Sequence, residues 1–284
     1  MKITFCKYQG AGNDFLIADN RDGSIQLTPE QVAALCDRRY GVGADGLMLL
    51  EEAVDYEKPL DFCMKYYNSD GSTGMMCGNG GRCIVAYAST STFRICRFLA
   101  ADGYHEASIK SDTGFEKTVC LQMKDVDTYE HYDSLDGVDV PSEGYFLDTG
   151  TRHYVRIVEG LEDYDVVGEG RAIRYGASQL LPVGVNVNFI EPGENGVLKV
   201  RTYEKGVEDE TYACGTGIVA SCIAAYKAGI KPTRVSGRDV LYEVKAKRDN
   251  LLVCFRPQEE GNGIATEVYL TGPAVLVAEI SVWL

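Results

Sequence analysis

The chain has 284 residues, a length that suggests two domains of ordinary size. It carries 28 basic and 42 acidic residues. The resulting net charge of −14 argues against binding to nucleic acid or to an anionic membrane surface, because both require a positive surface. A hydrophobic fraction of 45% and a charged fraction of 25% are typical of a globular protein and exclude a disordered or fibrous one.

The sequence has no apolar run long enough to cross a membrane, and its first residues, MKITFCKYQGAGNDF, lack the apolar region of a secretory signal. We therefore expect a cytoplasmic protein without membrane contact, whose ten cysteines stay reduced.

Short apolar or alternating segments bounded by turn residues predict strands at 3–6, 15–19, 47–51, 61–67, 145–147, 197–203 and 275–283. Thr28 and Pro29 predict the start of a helix, and Gly41 its end. Apolar spacing predicts two more helices, at 79–89 and 216–227, each directly after a cysteine motif. The glycines of Gly41–Gly46 spell G-x-G-x-x-G, but a helix precedes them and a strand follows. This order is the reverse of a dinucleotide site, so we interpret the segment as a turn.

Four local patterns recur in the same order, roughly 140 positions apart. They are GAGN at 10–13 with GTRH at 150–153, GAD at 43–45 with GVN at 184–186, MKYY at 64–67 with VRTY at 200–203, and CGNG at 77–80 with CGTG at 214–217. The order indicates an internal duplication into two pseudo-symmetric lobes, each with one central helix wrapped in strands. We place the lobes at 1–119 with the C-terminal strand 271–284, and at 120–270. The acidic, turn-rich segment 125–144 is predicted to be a connection.

Cys77 and Cys214 each precede Gly-x-Gly and the start of a predicted helix. The first turn of a helix has unpaired N–H groups and a partial positive charge, which stabilise a thiolate and can bind a carboxylate. Two such helix starts, facing each other in a cleft between the lobes, would place a thiol on each side of a substrate. Inverting a stereocentre by proton transfer needs such a pair, a base on one face of the carbon and an acid on the other.

Other classes of protein compete with this interpretation. A cysteine hydrolase would pair one thiol with His153 as general base, but it would leave the second Cys-Gly-x-Gly unexplained. A non-catalytic binding protein would need neither thiol. The scattered histidines and the absence of Cys-x-x-Cys argue against a zinc site, and no lysine lies in a recognisable pyridoxal phosphate context. We therefore expect no metal and no cofactor. We interpret the remaining cysteines as small buried hydrophobes; they are Cys6, Cys36, Cys63, Cys83, Cys96, Cys120, Cys222 and Cys254.

The phrases KYQGAGNDF, RRYGVGADGL, YYNSDGSTGMMCGNGGRC, GVNVNF, DETYACGTG and VYLTGPAVLVAE, in this order, resemble the diaminopimelate epimerase family over nearly the whole chain. The resemblance implies an α+β fold of two lobes, each a mainly antiparallel β-barrel around a central helix. It also implies an isomerase that works without pyridoxal phosphate, interconverts L,L- and meso-diaminopimelate for lysine and peptidoglycan synthesis, and forms a homodimer.

The same resemblance implies roles for individual residues. Cys77 would take the proton from the L,L isomer and Cys214 from the meso isomer, while His153 and Glu204 would tune the thiols. The other implied residues bind substrate. Gly78, Asn79, Gly215 and Thr216 would hold the reacting carboxylate, and Asn13, Asn68, Asn186 and Glu204 would contact the rest of the molecule.

The sequence departs from the family pattern where the distal end of the substrate would bind. Lys205 stands where the family usually has arginine, the family's Gly-Asn-Pro-His is Gly-Thr-Arg-His at 150–153, and one residue is inserted before Cys214. Lysine offers a point charge where arginine offers a two-pronged fork. Our hypothesis is that Lys205, helped by Arg152, pairs with the distal carboxylate. The alternative is a related cofactor-independent racemase that acts on a different amino acid.

Overall fold

The computed structural model describes residues 2–74, 76–89, 95–258 and 263–284. The chain divides into two compact units, one formed by Met1–Gln122 with Thr271–Leu284 and the other by Met123–Leu270. The long strand that ends the chain therefore begins in the second unit and finishes in the first. No helix in the described part of the chain is long and apolar enough to cross a membrane.

The described residues of the first unit form two helices and seven complete strands. They are β1 (Lys2–Gly10), β2 (Asn13–Asp19), α1 (Pro29–Cys36), β3 (Gly46–Glu51), β4 (Phe62–Asn68), α2 (Gly78–Ala88), β5 (Ile95–Ala100), β6 (Gly103–Asp112) and β7 (Glu116–Gln122).

The second unit contains the elements β8 (Thr128–Tyr132), β9 (Gly144–Asp148), β10 (Arg152–Ile157), α3 (Val166–Gly176), β11 (Asn186–Pro192), β12 (Leu198–Glu204), β13 (Asp209–Thr211), α4 (Gly215–Lys227), β14 (Arg234–Ser236), β15 (Asp239–Lys245), β16 (Asn250–Pro257) and the first part of β17 (Ala265–Trp283).

The strands of the first unit close into an eight-stranded barrel. Antiparallel pairs join β1 to β2, β3 to β4, β5 to β6 and β6 to β7, and parallel pairs join β2 to β3 and β4 to β5. The end of β17 pairs with both β7 and β1, which closes the ring. Helix α2 packs against β1, β2, β3, β6 and β7, and its residues from Gly78 to Ala86 are buried. It is the central helix of this barrel.

The second unit repeats this succession of strands. β9 pairs antiparallel with β10, β10 parallel with β11, β11 antiparallel with β12, β12 parallel with β15, and β15 antiparallel with β16, which neighbours β17. Val126 bridges to Ala265 in β17, and the chain then continues into β8, which pairs with β9. Helix α4 packs against β9, β10, β11, β12 and β16. The predicted fold, α+β with two pseudo-symmetric, mainly antiparallel barrels around central helices, is confirmed.

The strands next to α1 explain why parts of the sequence are apolar without alternation. In β2, Leu16 and Ala18 belong to a core cluster that also contains Val32 and Leu35 of α1. Phe15 and Ile17, which point to the opposite face of the same strand, are equally buried. A strand covered on both faces buries every residue, so its sequence reads as a continuous apolar run.

Two predictions about local structure need correction. The helix capped by Thr28 ends at Cys36 rather than at Gly41, because Asp37 turns the chain by accepting hydrogen bonds from the amides of Arg39 and Tyr40. Gly41 is needed for another reason: a Cβ there would lie 2.1 Å from the carbonyl oxygen of Ala34. The segment 125–144 is more than a connection, since it contains strand β8. Helix α3 was not predicted.

Candidate active site

Cys77 and Cys214 occupy equivalent positions, as the N-cap residues of the two central helices. Their backbone angles are nearly the same, with φ −109° and ψ 129° at Cys77 and φ −100° and ψ 113° at Cys214. Each carbonyl accepts the first hydrogen bond of its helix, from Gly81 at 2.7 Å and from Ile218 at 2.8 Å. The amides that follow each cysteine therefore lie in the first helical turn, where N–H groups have no partner within the helix. Each sulfur sits at the positive end of a buried helix.

The ten cysteines differ in exposure. Cys77 and Cys214 are partly exposed, whereas Cys83 and Cys222, further along the same two helices, are buried. Burial raises the pKa of Cys83 to about 12 and the pKa of Cys222 well above the usual value, because a thiolate is poorly solvated there. Of the eight cysteines predicted to be buried, Cys36 and Cys96 are also buried, but the other four are only partly so; they are Cys6, Cys63, Cys120 and Cys254.

Cys214 ends a chain of hydrogen bonds within its own barrel. Its Sγ lies 3.4 Å from the hydroxyl oxygen of Thr216, and that oxygen lies 3.0 Å from Nε2 of His153. The hydroxyl of Thr151 is 2.9 Å from both the Thr216 hydroxyl and His153 Nε2. The structure therefore connects His153 to Cys214 through Thr216.

His153 is fully buried in β10, and burial lowers its pKa to about 3 because the imidazolium would be poorly solvated. The ring is therefore neutral at any pH near 7. Its Nδ1 faces the amide nitrogen of Asn188 at 3.1 Å. A neutral ring can influence Cys214 only by hydrogen bonding, so any tuning of that thiol by His153 does not come from a positive charge.

The buried neutral His153 predicts a dependence of stability on pH. Its pKa is lower in the folded chain than the usual 6.5, so the unfolded chain binds the extra proton and the contribution of His153 to stability is lost as pH falls below about 6.5. We expect wild type to be more stable than His153→Gln at pH 7. The difference in unfolding free energy should shrink by about 1.4 kcal/mol per pH unit between pH 6 and pH 4. Urea unfolding of both proteins at several pH values measures the difference in unfolding free energy. A difference that does not change with pH would contradict a buried neutral ring.

The first barrel surrounds Cys77 differently. Asn79, in the first turn of α2, donates through Nδ2 to Oδ1 of Asn13 at 2.5 Å, and Nδ2 of Asn13 donates to Asp45 at 3.0 Å. Nη2 of Arg82 donates to Oδ1 of Asn79 at 2.9 Å, and Nη1 donates to the carbonyl of Gly78 at 3.3 Å. The guanidinium is fully buried. The structure thus joins the predicted residues Asn13, Gly78 and Asn79 around a buried cation that we did not predict.

Asn186 joins two of the predicted distal residues. Its Nδ2 donates to the carbonyl of Arg152 at 3.1 Å, and its Oδ1 accepts from the amide of Lys205 at 2.9 Å. The two cationic side chains donate to neighbouring carbonyls, Arg152 to Leu180 at 3.2 Å and Lys205 to Val183 at 2.8 Å. The structure therefore brings Arg152, Asn186 and Lys205 together in the second barrel, and it gives Asn186 a structural role as a bridge.

Glu204 and Asn68 occupy equivalent positions, since each is the last residue of its strand. Glu204 ends β12 and is paired in register with Asp209. Asn68 ends β4 and donates through Nδ2 to the hydroxyl of Ser72 at 3.0 Å, as expected of an asparagine that shapes a turn.

Sequence reasoning missed Arg82, Asn188 and Asp45 as partners of the predicted residues. One signal was available, since an arginine inside an otherwise apolar helix must find buried acceptors. The sequence gives no such signal for Asn188 as the partner of His153, because nothing in the motif GVNVNF distinguishes Asn188 from Asn186. In the described part of the chain, no group of three or more His, Cys, Asp or Glu side chains could hold a metal ion.

The family model of diaminopimelate epimerase matches residues 5–123 and 145–277 of the sequence. The chain belongs to the diaminopimelate epimerase family. Among curated relatives of that name, the protein of Flavobacterium psychrophilum is 40% identical over 283 residues, covering 97% of this chain and 98% of the relative. The protein of Chlorobaculum tepidum is 42% identical over 270 residues, covering 93% and 95%. The predicted resemblance is confirmed over nearly the whole length.

Solved structures share the fold at much lower sequence identity. A phenazine biosynthesis protein of the PhzF family from Bacillus anthracis has a TM-score of 0.71 and 14% identity, over 100% of both chains. A probable proline racemase from Agrobacterium radiobacter has a TM-score of 0.66 and 16% identity, over 99% of this chain and 93% of the other. At these identities the comparison supports the two-barrel fold alone, and the diaminopimelate epimerase family is assigned from sequence.

Proposed function

We propose that this protein is an isomerase that interconverts L,L- and meso-diaminopimelate, with Cys77 and Cys214 as the two acid/base groups. One observation carries the proposal: in a member of the diaminopimelate epimerase family, two partly exposed thiols stand at equivalent N-caps of two equivalent central helices. A reaction that runs in both directions through a planar intermediate needs two groups that can exchange roles. Two thiols at equivalent helix N-termini meet that requirement.

In the proposed mechanism, the Cys77 thiolate removes the α-proton of the L,L isomer, and the Cys214 thiol delivers a proton to the opposite face. The reverse reaction exchanges the roles. As the proton leaves, negative charge develops on the substrate carboxylate. The first-turn amides that follow the cysteines, at Gly78 and Asn79 and at Gly215 and Thr216, would donate hydrogen bonds to that charge. The chemistry needs only proton transfers, so the proposal includes no cofactor.

The experiment that tests the function is incubation of the purified protein with L,L-diaminopimelate in D₂O. We expect deuterium to replace the hydrogen on the α-carbon while the meso isomer forms. NMR measures the deuterium incorporation, and chiral chromatography measures the meso isomer. Binding without exchange would indicate a non-catalytic binding protein instead. Hydrolysis of an ester or amide without exchange would indicate a cysteine hydrolase. Exchange of alanine or proline but not of diaminopimelate would indicate a racemase of different substrate.

We further propose that Lys205, with Arg152, pairs with the distal carboxylate of the substrate. The support is their proximity, since both flank Asn186, and the exposure of Lys205. Lys205→Ala should lower kcat/KM for diaminopimelate by about 10- to 100-fold, because a hydrogen-bonded charge pair is lost. It should leave the much weaker turnover of alanine unchanged, because alanine has no distal carboxylate.

The matched control for Lys205 is Lys199→Ala, which removes a lysine of the same barrel that pairs with Glu191 at 2.7 Å. The control should keep wild-type selectivity. A Lys205→Ala enzyme that still preferred diaminopimelate to alanine by the wild-type ratio would remove Lys205 from substrate recognition. The homodimer implied by the family resemblance stays a prediction, which light scattering of the purified protein tests. The cytoplasmic location expected from the sequence also stays a prediction.

A further inference from the structure

Asn188 is a buried polar residue that the proposed chemistry does not use. It lies in the middle of β11, two residues beyond Asn186, and its side chain is fully buried. Its amide contacts three groups of its own barrel. Nδ2 faces Nδ1 of His153 at 3.1 Å and the carbonyl of Tyr154 at 3.4 Å, and Oδ1 accepts from the hydroxyl of Thr202 at 2.9 Å. A buried amide with every contact matched has a defined orientation.

The Tyr154 carbonyl decides which way the Asn188 amide points. A carbonyl oxygen only accepts, so the group that faces it must be the NH₂ end of the amide. Thr202 holds the other end by donating to Oδ1. The nitrogen that faces His153 Nδ1 is therefore a donor, and Nδ1 must be the acceptor.

A neutral imidazole carries its proton on one nitrogen only. Because Nδ1 accepts from Asn188, the proton of His153 lies on Nε2. That N–H points to the hydroxyls of Thr151 and Thr216. In the opposite tautomer, Nε2 would accept a hydroxyl proton and could draw the Thr216 hydrogen away from the sulfur.

We propose that Asn188 is a positioning residue for Cys214: by holding His153 as the Nε2–H tautomer, it directs the hydroxyl hydrogen of Thr216 to Cys214 Sγ. A donor aimed at sulfur favours the thiolate over the thiol. The inference deepens the proposed function, because it concerns one of the two proposed acid/base groups and rests on that assignment.

The described residues of the first barrel place an apolar side chain where the second barrel has Asn188. A Cβ at Gly217 of α4 would meet Asn188 Oδ1 first, and a Cβ at the equivalent residue of α2, Gly80, would meet Met48 Sδ first. Met48 therefore occupies the position of Asn188, and it is fully buried. An apolar side chain is compatible with this position of the fold, which makes Asn188→Leu a suitable variant. The comparison also predicts that the effect of Asn188 is confined to Cys214.

The first test observes the tautomer directly in the wild-type protein. The chain has three histidines, so the ring nitrogens of His153 can be assigned in ¹⁵N NMR spectra by comparison with His153→Gln. We expect a neutral ring with the proton on Nε2 at pH 7. A proton on Nδ1, or an imidazolium, would overturn the proposal. This measurement needs no substrate and no variant at position 188.

The second test measures the reactivity of each thiol with iodoacetamide as a function of pH, with the modified cysteine identified by mass spectrometry. In Asn188→Leu and Thr202→Val, the midpoint for Cys214 should rise by about one pH unit, because a hydrogen bond to the thiolate is weakened. Cys77 is the internal control, and its midpoint should not move. Thr202→Ser keeps the hydroxyl and should restore the wild-type value.

Equal shifts at both cysteines, or no shift at Cys214 in a folded variant, would contradict the positioning role. With the meso isomer as substrate, for which Cys214 is the proposed base, the acidic limb of the pH profile of kcat/KM should move upward with the Cys214 midpoint. If wild type shows the expected tautomer and thiol behaviour but does not epimerise diaminopimelate, the proposed function is wrong and the positioning of Cys214 stands. If wild type epimerises diaminopimelate but His153 has the opposite tautomer, the proposed function stands and the positioning role of Asn188 is wrong.

Discussion

Cys77→Ala and Cys214→Ala are each expected to lose at least about 1,000-fold in kcat for the epimerisation of L,L-diaminopimelate. Inversion requires removal of a proton from one face of the α-carbon and delivery to the other. Either variant keeps one group and lacks the other. Alanine cannot transfer a proton, and water would have to replace a thiol placed at a helix N-terminus. The rate of appearance of the meso isomer measures the loss.

The matched control for this pair is Cys63→Ala, which removes another partly exposed thiol, in β4. This variant should keep wild-type kcat. Circular dichroism should show that all three variants are folded, because none of these cysteines fills the centre of a core. Turnover within tenfold of wild type by Cys77→Ala or Cys214→Ala would end the two-base assignment. A large loss in only one of them would indicate chemistry that uses a single thiol, as in a hydrolase.

The sequence predicts the duplicated architecture because duplication leaves local signals. The two Cys-Gly-x-Gly motifs stand at the start of α2 and α4, and the glycine patterns at 10–13 and 150–153 stand at the turns into β2 and β10. Each signal depends on a few adjacent residues and on the backbone conformation of those residues alone. The plan of one central helix wrapped in strands in each lobe then follows from applying the same pattern twice.

The parts that the sequence does not predict depend on distant neighbours. Helix α3 exposes Val167 and Tyr175, so its apolar residues do not mark a single face. Its buried residues Val166 and Ile173 are identified only by their packing on β11 and β12. The acidic sequence of β8 predicts a loop, but the segment forms a strand because it pairs with β9. Arg82 and Asn188 are likewise defined by acceptors and donors contributed by other elements. Their types were visible in the sequence, but their partners were not.

Gly217 changes the interpretation of the cysteine motifs. The sequence suggests that the glycines leave the helix amides bare so that a carboxylate can approach. In the structure, a Cβ at Gly217 would lie 2.4 Å from Oδ1 of Asn188 and 3.2 Å from Cε1 of His153. The second glycine of Cys-Gly-Thr-Gly therefore makes room for the buried polar residues behind the helix. A side chain there would have to displace an amide that Thr202 holds in place.

Gly217→Ala should therefore destabilise the protein by about 1–2 kcal/mol, since overpacking exceeds the gain of about 1 kcal/mol in helix propensity. It should also lower kcat by about tenfold or more, because it moves His153 and Asn188. Gly80→Ala is the matched control. The nearest atoms to a Cβ there are Met48 Sδ at 3.3 Å and the Phe15 ring at 3.5 Å, and flexible Met48 can give way. The Gly80→Ala protein should therefore be as stable as wild type or more stable, by up to about 1 kcal/mol. Urea unfolding and steady-state kinetics of both variants measure these effects. Equal loss of activity in the two, with stability unchanged, would show that the glycines serve substrate access and not the packing of Asn188.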